Sequence, residues 1–344
     1  MARETVIKSE GVFAANADGY RNVPAWQGLG TVLDVNGKKG IDVETALAKS
    51  GLDWEVKRVP IFAMHGKSRV KIDDRYGVQR ETDGAILGVV GSTWRPVQNR
   101  AGFSTLQTLL EQAGGEVWIE SAGMLNGGKK VWIMARCENS LQIAGESYLS
   151  HIGFVNGHDG RTSVTAFLSD MRTACTNFLN FVWHGKRTGY GHGARIVRVR
   201  HTVKAEQRIT EAHELLGLRN LELEEMARQA EWMVEDPMSD GAFEMFMEAL
   251  MPLPEESEHP VTGNLTPAAT MITQRREEIG DIYLNAENLN RIRGTKWGAL
   301  NAVIEYADHG RVTKNASALC ASQFGLGPVT LKQKAYALLA PKGQ

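Results

Sequence analysis

The sequence predicts an α+β fold, with an antiparallel sheet and packed helices on a strand-strand-strand-helix core, followed by a mainly helical C-terminal lobe. Three observations lead there. Apolar residues come in short, β-branched runs between Trp54 and Val90 and again as far as Phe167, the composition of strands. Apolar spacing of three and four marks 101–113 and dominates after Val203, as amphipathic helices require. The chain has 344 residues, more than one core of about 100 to 200 residues and short of three. The expected division is an N-terminal arm over 1–50, an α+β core over 51–204, and an acidic helical region over 205–344 with a linker near 252–267.

In chain order, the arm carries one helix, 42–50, which Gly51 stops. Strands at 54–59, 69–73 and 85–90 pair antiparallel. Pro96-Val97-Gln98-Asn99 leads into helix 101–113, with Phe103, Leu106, Leu109 and Leu110 on one stripe. Strands at 117–119 and 131–134 flank Asn126-Gly127-Gly128, a composition for a hairpin turn with positive φ. Further strands follow at 147–155 and 162–167. Ser169-Asp170 reads as an N-cap pair opening a helix over 171–183. A glycine-rich loop then precedes a short strand, 196–199. Helical pattern resumes at Val203, breaks at Asp236-Pro237, passes a linker with Pro252, Pro254, Pro260 and Pro267, and continues over 268–340.

The composition, 42% hydrophobic and 23% charged, is that of a globular protein. Net charge is -1, which on its own points to neither a nucleic-acid nor a membrane partner. That neutrality is a cancellation. Residues 171–204 contain seven basic side chains and no acidic one, whereas 206–258 contain fifteen acidic and three basic. Cys137, Cys175 and Cys320 lack metal or disulfide spacing, and no stretch is apolar enough for a signal peptide or membrane span. A cytoplasmic protein without membrane association is expected.

Gly123 to Lys129 matches GxxxxGK, but Lys130 stands where a phosphate loop needs Ser or Thr, and a strand follows where a helix should. Lys129 and Lys130 therefore read as basic residues at a hairpin tip, and no cofactor is expected. His158 and Asp159, with Glu120 and His151, offer metal-ligand or hydrolytic chemistry. No HExxH or GxSxG accompanies them, and Asn156-Gly157-His158-Asp159-Gly160 has the composition of a tight turn. No catalytic or metal residue is assigned.

The basic segment interleaves cations with rings, a pattern that suits nucleic acid: cations neutralise phosphates and rings stack on unpaired bases. Its contact candidates are Arg172, Trp183, Lys186, Arg187, Tyr190, Arg195, Arg198, Arg200 and Lys204. Phe178 and Phe181 fall on the apolar stripe of helix 171–183 and read as core. In strand 196–199, Arg198 and Arg200 share one parity and so one face. Lys67, Arg69, Lys71, Arg75 and Arg80 form a second basic group on the first hairpin, diluted by Asp73 and Asp74, with Lys67, Arg69 and Lys71 as its contact candidates, and Lys129 and Lys130 a third. The competing explanation is charge pairing with the acidic helices, within one chain or between copies.

Several segments together resemble the phage/plasmid-like protein family, a family of unknown function. They are Pro24-Ala25-Trp26-Gln27-Gly28-Leu29-Gly30-Thr31, Pro96-Val97-Gln98-Asn99, Ser121-Ala122-Gly123, His158-Asp159-Gly160, Arg172-Thr173-Ala174-Cys175-Thr176-Asn177, Arg200-His201-Thr202 and Gly294-Thr295-Lys296-Trp297-Gly298-Ala299. The resemblance implies a mobile-DNA context and supplies no catalytic residues. The order of elements is also similar to phage single-strand annealing recombinases of the Red-beta and RecT-like kind, an analogy of fold. The expected function is single-stranded DNA binding with ATP-independent annealing, by a homo-oligomeric ring or filament. The alternatives are a metal-dependent nuclease or hydrolase using His158 and Asp159, and a phage structural or host-interaction protein.

Overall fold

The computed structural model describes residues 13–15, 31–33, 41–112, 118–172, 177–178, 196–205, 207–208, 219–259, 261–310 and 331–340. In chain order they form β1 (Phe13–Ala15), β2 (Thr31–Leu33), α1 (Val43–Ser50), β3 (Val56–His65), β4 (Ser68–Arg80), β5 (Ile86–Gly91), α2 (Asn99–Gln112), β6 (Trp118–Leu125), β7 (Lys130–Ile143), β8 (Glu146–Gly157), β9 (Val164–Arg172), β10 (Asn177–Phe178) and β11 (Ile196–Val199). The helical part follows as α3 (Arg219–Glu235), α4 (Asp240–Leu250), α5 (Pro267–Asn285), α6 (Lys296–Glu305) and α7 (Leu331–Leu339). The fold is α+β with antiparallel sheets, its helices mainly C-terminal.

Strands β6 to β9 form an antiparallel meander; β1 joins it at β6, and β2 runs parallel to β1. β10 and β11 share the outer edge of β9. The β6–β7 turn has φ of 54°, 66° and 91° at Asn126, Gly127 and Gly128, the left-handed run that an Asn-Gly-Gly sequence supplies. Asp42 caps α1 by accepting from Thr45 N–H at 2.8 Å, and Gly51 closes it at φ 65°. Val43, Ala46 and Leu47 of α1 pack in the same core as Phe103 of α2 and Phe154 of β8. The N-terminal helix is thus part of the α+β body.

One expected element is overturned. The helix over 171–183 does not begin at Met171: β9 continues through Arg172, with Leu149 opposite Met171 and Tyr148 opposite Arg172. Asn177 and Phe178, expected on that helix, form β10 against Arg172 and Met171. The local N-cap signal of Ser169-Asp170 loses to a long neighbouring strand whose backbone groups are satisfied by extending the ladder. The rest of that predicted helix lies outside the described residues.

At the centre of the meander Gly153 of β8 faces Phe167 of β9. A Cβ on Gly153 would stand 2.1 Å from the Phe167 Cζ, and that ring is buried. The aromatic side chain therefore lies across the glycine and fills the space a side chain would take. Gly153→Ala is expected to force the ring aside and destabilise the protein by about 1–3 kcal/mol. Urea unfolding checks it: the midpoint should drop with the slope unchanged.

β3, β4 and β5 make a second, three-stranded antiparallel sheet. Beyond Pro60 of β3 and before Tyr76 of β4 almost every side chain is exposed, so the two strands project as an arm. The helices surround a second core that takes in Ile143 and Tyr148 from the β7–β8 hairpin. Trp297 of α6, fully buried, donates its indole N–H to the Tyr148 hydroxyl at 3.1 Å. The helix break at Asp236-Pro237 is held by Lys296 N–H donating to the Asp236 carbonyl at 3.0 Å. Among the described residues no helix is long and apolar enough to cross a membrane.

Candidate nucleic-acid interface

The meander has two ends. The helices sit at the β7–β8 hairpin, whereas the β6–β7 turn, the turn between β8 and β9 and the end of β11 gather at the other. Three of the short sequence motifs meet at that second end. Gln98 clamps the start of β3, accepting from Val56 N–H at 3.0 Å and donating to the Val56 carbonyl at 2.9 Å. Asn99 donates to the Leu52 carbonyl at 3.0 Å, which leaves its Oδ1 to accept from His158 Nε2 at 2.9 Å. Asn156 donates to the Val97 carbonyl at 2.8 Å. The Asp159 carboxylate accepts from the amides of Arg161 and Thr162 at 2.9 and 2.7 Å and closes the turn.

β5 is pressed against this turn. A Cβ on Gly88 would lie 2.6 Å from the Asp159 carbonyl carbon, so only glycine permits the approach. His201 completes the cluster, its ring stacked on Trp94 at 4.9 Å and its carbonyl accepting from Arg95 N–H at 3.1 Å.

The electrostatics follow from burial. Desolvation, and then the nearby His201, push His158 down to about 3, so its ring is neutral with the proton on Nε2. Burial lowers His201 as well, against the opposing pull of the Arg95 and Thr162 backbone and of Asp159. For Asp159 burial acts upward, but the Thr162 and Arg161 amides, the Thr162 hydroxyl and the Lys130 charge together leave it below the usual carboxylate range.

The metal-ligand candidates do not converge. His151 pairs with Glu120 at 2.6 Å, both fully buried. His151 and His158 stand seven residues apart on and just beyond β8, about 23 Å at a strand's rise of about 3.3 Å. Among the described residues no group of three or more His, Cys, Asp or Glu could hold a metal ion.

The basic candidates divide into three groups. Arg198 and Arg200 are exposed with Val199 buried between them, so they share one face, and Lys204 is exposed just beyond. Lys129 and Lys130 lie at the same end of the meander, where the Lys129 carbonyl accepts from His158 N–H at 2.8 Å. Arg172 is at the opposite end, eight residues along β9 or about 27 Å from its start. Lys67, Arg69 and Lys71 are on the projecting arm, with Lys71 nine residues, about 30 Å of strand, from Arg80 at its root. Trp183, Lys186, Arg187, Tyr190 and Arg195 lie outside the described residues.

The family model described as "Domain of unknown function (DUF932)" matches residues 86–323. The chain belongs to this family. No curated protein and no solved structure matches it. The DUF932 match begins at β5, so it takes in the whole meander, the polar cluster and α3 to α6, and leaves the arm outside.

This DUF932 member also carries cations that sequence reasoning passed over. Arg58 of β3 and Arg95 both donate to the Ser92 carbonyl, beside Trp94 and next to Arg200 through the Arg95–His201 backbone bond. The available signal was the run Trp94-Arg95 directly ahead of Pro96-Val97-Gln98-Asn99, a ring and a cation adjoining a motif already singled out. A cavity of about 280 Å³ nearby is lined by Asp53, Glu55 and Glu81 with Arg100 bonded to Asp53, an acidic surface unsuited to a polyanion.

Proposed function

We propose that this protein binds single-stranded DNA across the His158–His201 end of the meander and promotes annealing of complementary strands without nucleotide hydrolysis. The observation that carries this reading is a set of cations that form no ion pairs. Arg58, Arg95, Lys129, Lys130, Arg198, Arg200 and Lys204 gather at one end, and among the described residues none of them forms an ion pair. Cations massed without ion-pair partners repel one another, and a polyanion relieves that repulsion while releasing its own counterions. The resemblance to phage and plasmid proteins, and the similarity of plan to annealing recombinases, supply the context of DNA recombination in the cytoplasm.

Self-association is part of the proposal. The arm exposes Phe62, Met64, Val70 and Ile72 by 38 to 65%, and apolar side chains in such a position favour a protein partner over water. A ring or filament would extend the cationic end from copy to copy, with Arg172 and the arm's Lys67, Arg69 and Lys71 as further contacts.

Annealing of two complementary oligonucleotides without ATP tests the function. Wild type should accelerate it, and the Arg198→Glu/Arg200→Glu protein should lose at least tenfold. Wild-type affinity for a single strand should fall as salt rises, by a slope of about 0.7 per phosphate contact in a log–log plot. Affinity indifferent to salt would sink the proposal.

A further inference from the structure

The carbonyl of Ser92, just beyond β5, accepts from two guanidiniums at once. Arg58 Nη1 lies at 2.8 Å and Arg95 Nη1 at 2.6 Å, and the latter also donates to the Trp94 carbonyl at 2.9 Å. Arg58 is further fixed by lying over the Tyr76 ring at 4.8 Å. Two permanently charged groups are thus held at one carbonyl oxygen.

Among the described residues neither forms an ion pair, and each spends only Nη1 on the protein. Their Nε and Nη2 donors are unspent. A carbonyl oxygen neutralises no net charge, so the arrangement holds like charges together and leaves the planar forks for an anion.

We propose that Arg58 and Arg95 clasp one phosphoryl group beside Ser92, and that its natural source is a phosphodiester of a bound strand. The chemistry recognised is the pair of phosphoryl oxygens, which a phosphodiester and a free phosphate both present. The assignment to a strand rests on the interface reading above; the clasp itself rests on the two arginines.

The test uses the full chain and an Arg58→Gln/Arg95→Gln protein, whose glutamines keep a donor for the Ser92 carbonyl. Inorganic phosphate should raise the Tm of wild type above that in sodium chloride of equal ionic strength, and should not do so for the variant. For a fluorescein-labelled oligothymidylate, the variant's salt slope should be shallower by about 0.7, one phosphate contact. Each single substitution should produce most of the double variant's loss, because both arginines grip one group. If the variant binds the oligonucleotide with unchanged affinity and slope, the clasp is overturned and the wider interface stands. If neither protein binds the oligonucleotide but the phosphate effect disappears in the variant, the strand interface is overturned and the clasp stands with free phosphate as ligand. If phosphate has no effect and no strand binds, both are overturned.

Discussion

Lowering the pH from 7 toward 4 is expected to destabilise the protein steeply, with His158 as a main contributor. In the unfolded chain this imidazole takes up its proton near 6.5, whereas the folded protein refuses it until about 3. Between those values the unfolded state binds more protons, so acid favours unfolding. The stability from keeping His158 neutral is fully present above 6.5 and declines by about 1.4 kcal/mol per pH unit as the pH falls toward 3. His201 is lowered in the same direction and adds to the slope below its unfolded value of 6.5. Carboxylates contribute to any acid transition, so the comparison with His158→Gln isolates the effect. That variant should show a shallower dependence of urea midpoint on pH, by close to one proton. Parallel curves for variant and wild type would refute the assignment.

The second large effect is expected in the helical part. Lys332 of α7 forms an ion pair with Asp308, in the turn after α6, and both side chains are 1% exposed. Taking two charges out of water costs nearly as much as their attraction returns, so such a pair adds little net stability. Removing one member is different, because the other charge stays buried without it. Lys332→Met should therefore cost about 3–5 kcal/mol. Lys332→Met/Asp308→Leu, which removes both members of the pair, should recover most of that loss. Urea unfolding of the two proteins decides the matter: a double variant as unstable as the single one would show that shape, and not charge, holds α7 in place.

Much of the fold was legible in local patterns. The Asp42 cap and Gly51 stop, the Asn126-Gly127-Gly128 turn, strands β3 to β9 and β11 and the break at Asp236-Pro237 follow from φ preferences, capping chemistry and the periods of two and 3.6 residues, whereas β1 and β2 fall in the arm read as irregular. The parity of Arg198 and Arg200 was legible for the same reason, since alternation along a strand needs no knowledge of its neighbours. The helix expected over 171–183 shows the limit. Its capping signal was real, but the register of β9 against β8 is set by residues some twenty positions earlier, and no local pattern carries that.

The candidate site was legible only in pieces. Pro96-Val97-Gln98-Asn99, His158-Asp159-Gly160 and Arg200-His201-Thr202 stand out as motifs, and nothing in their sequence says that they touch. Asn99 and His158 are 59 residues apart when they form their hydrogen bond. The same applies to the cations. Local sequence is enough to establish that basic charge is concentrated ahead of an acidic helical region, that the overall neutrality is a cancellation, and that Arg198 and Arg200 share one face. Only the tertiary structure decided that Lys129, Lys130, Arg198, Arg200 and Lys204 lie at one end with Arg58 and Arg95. It also set Arg172 a strand's length away and put Lys67, Arg69 and Lys71 on a projecting arm. The physical reason is range: turn and helix signals act over a few residues, whereas a charged surface is assembled by strand pairings between segments that are remote along the chain.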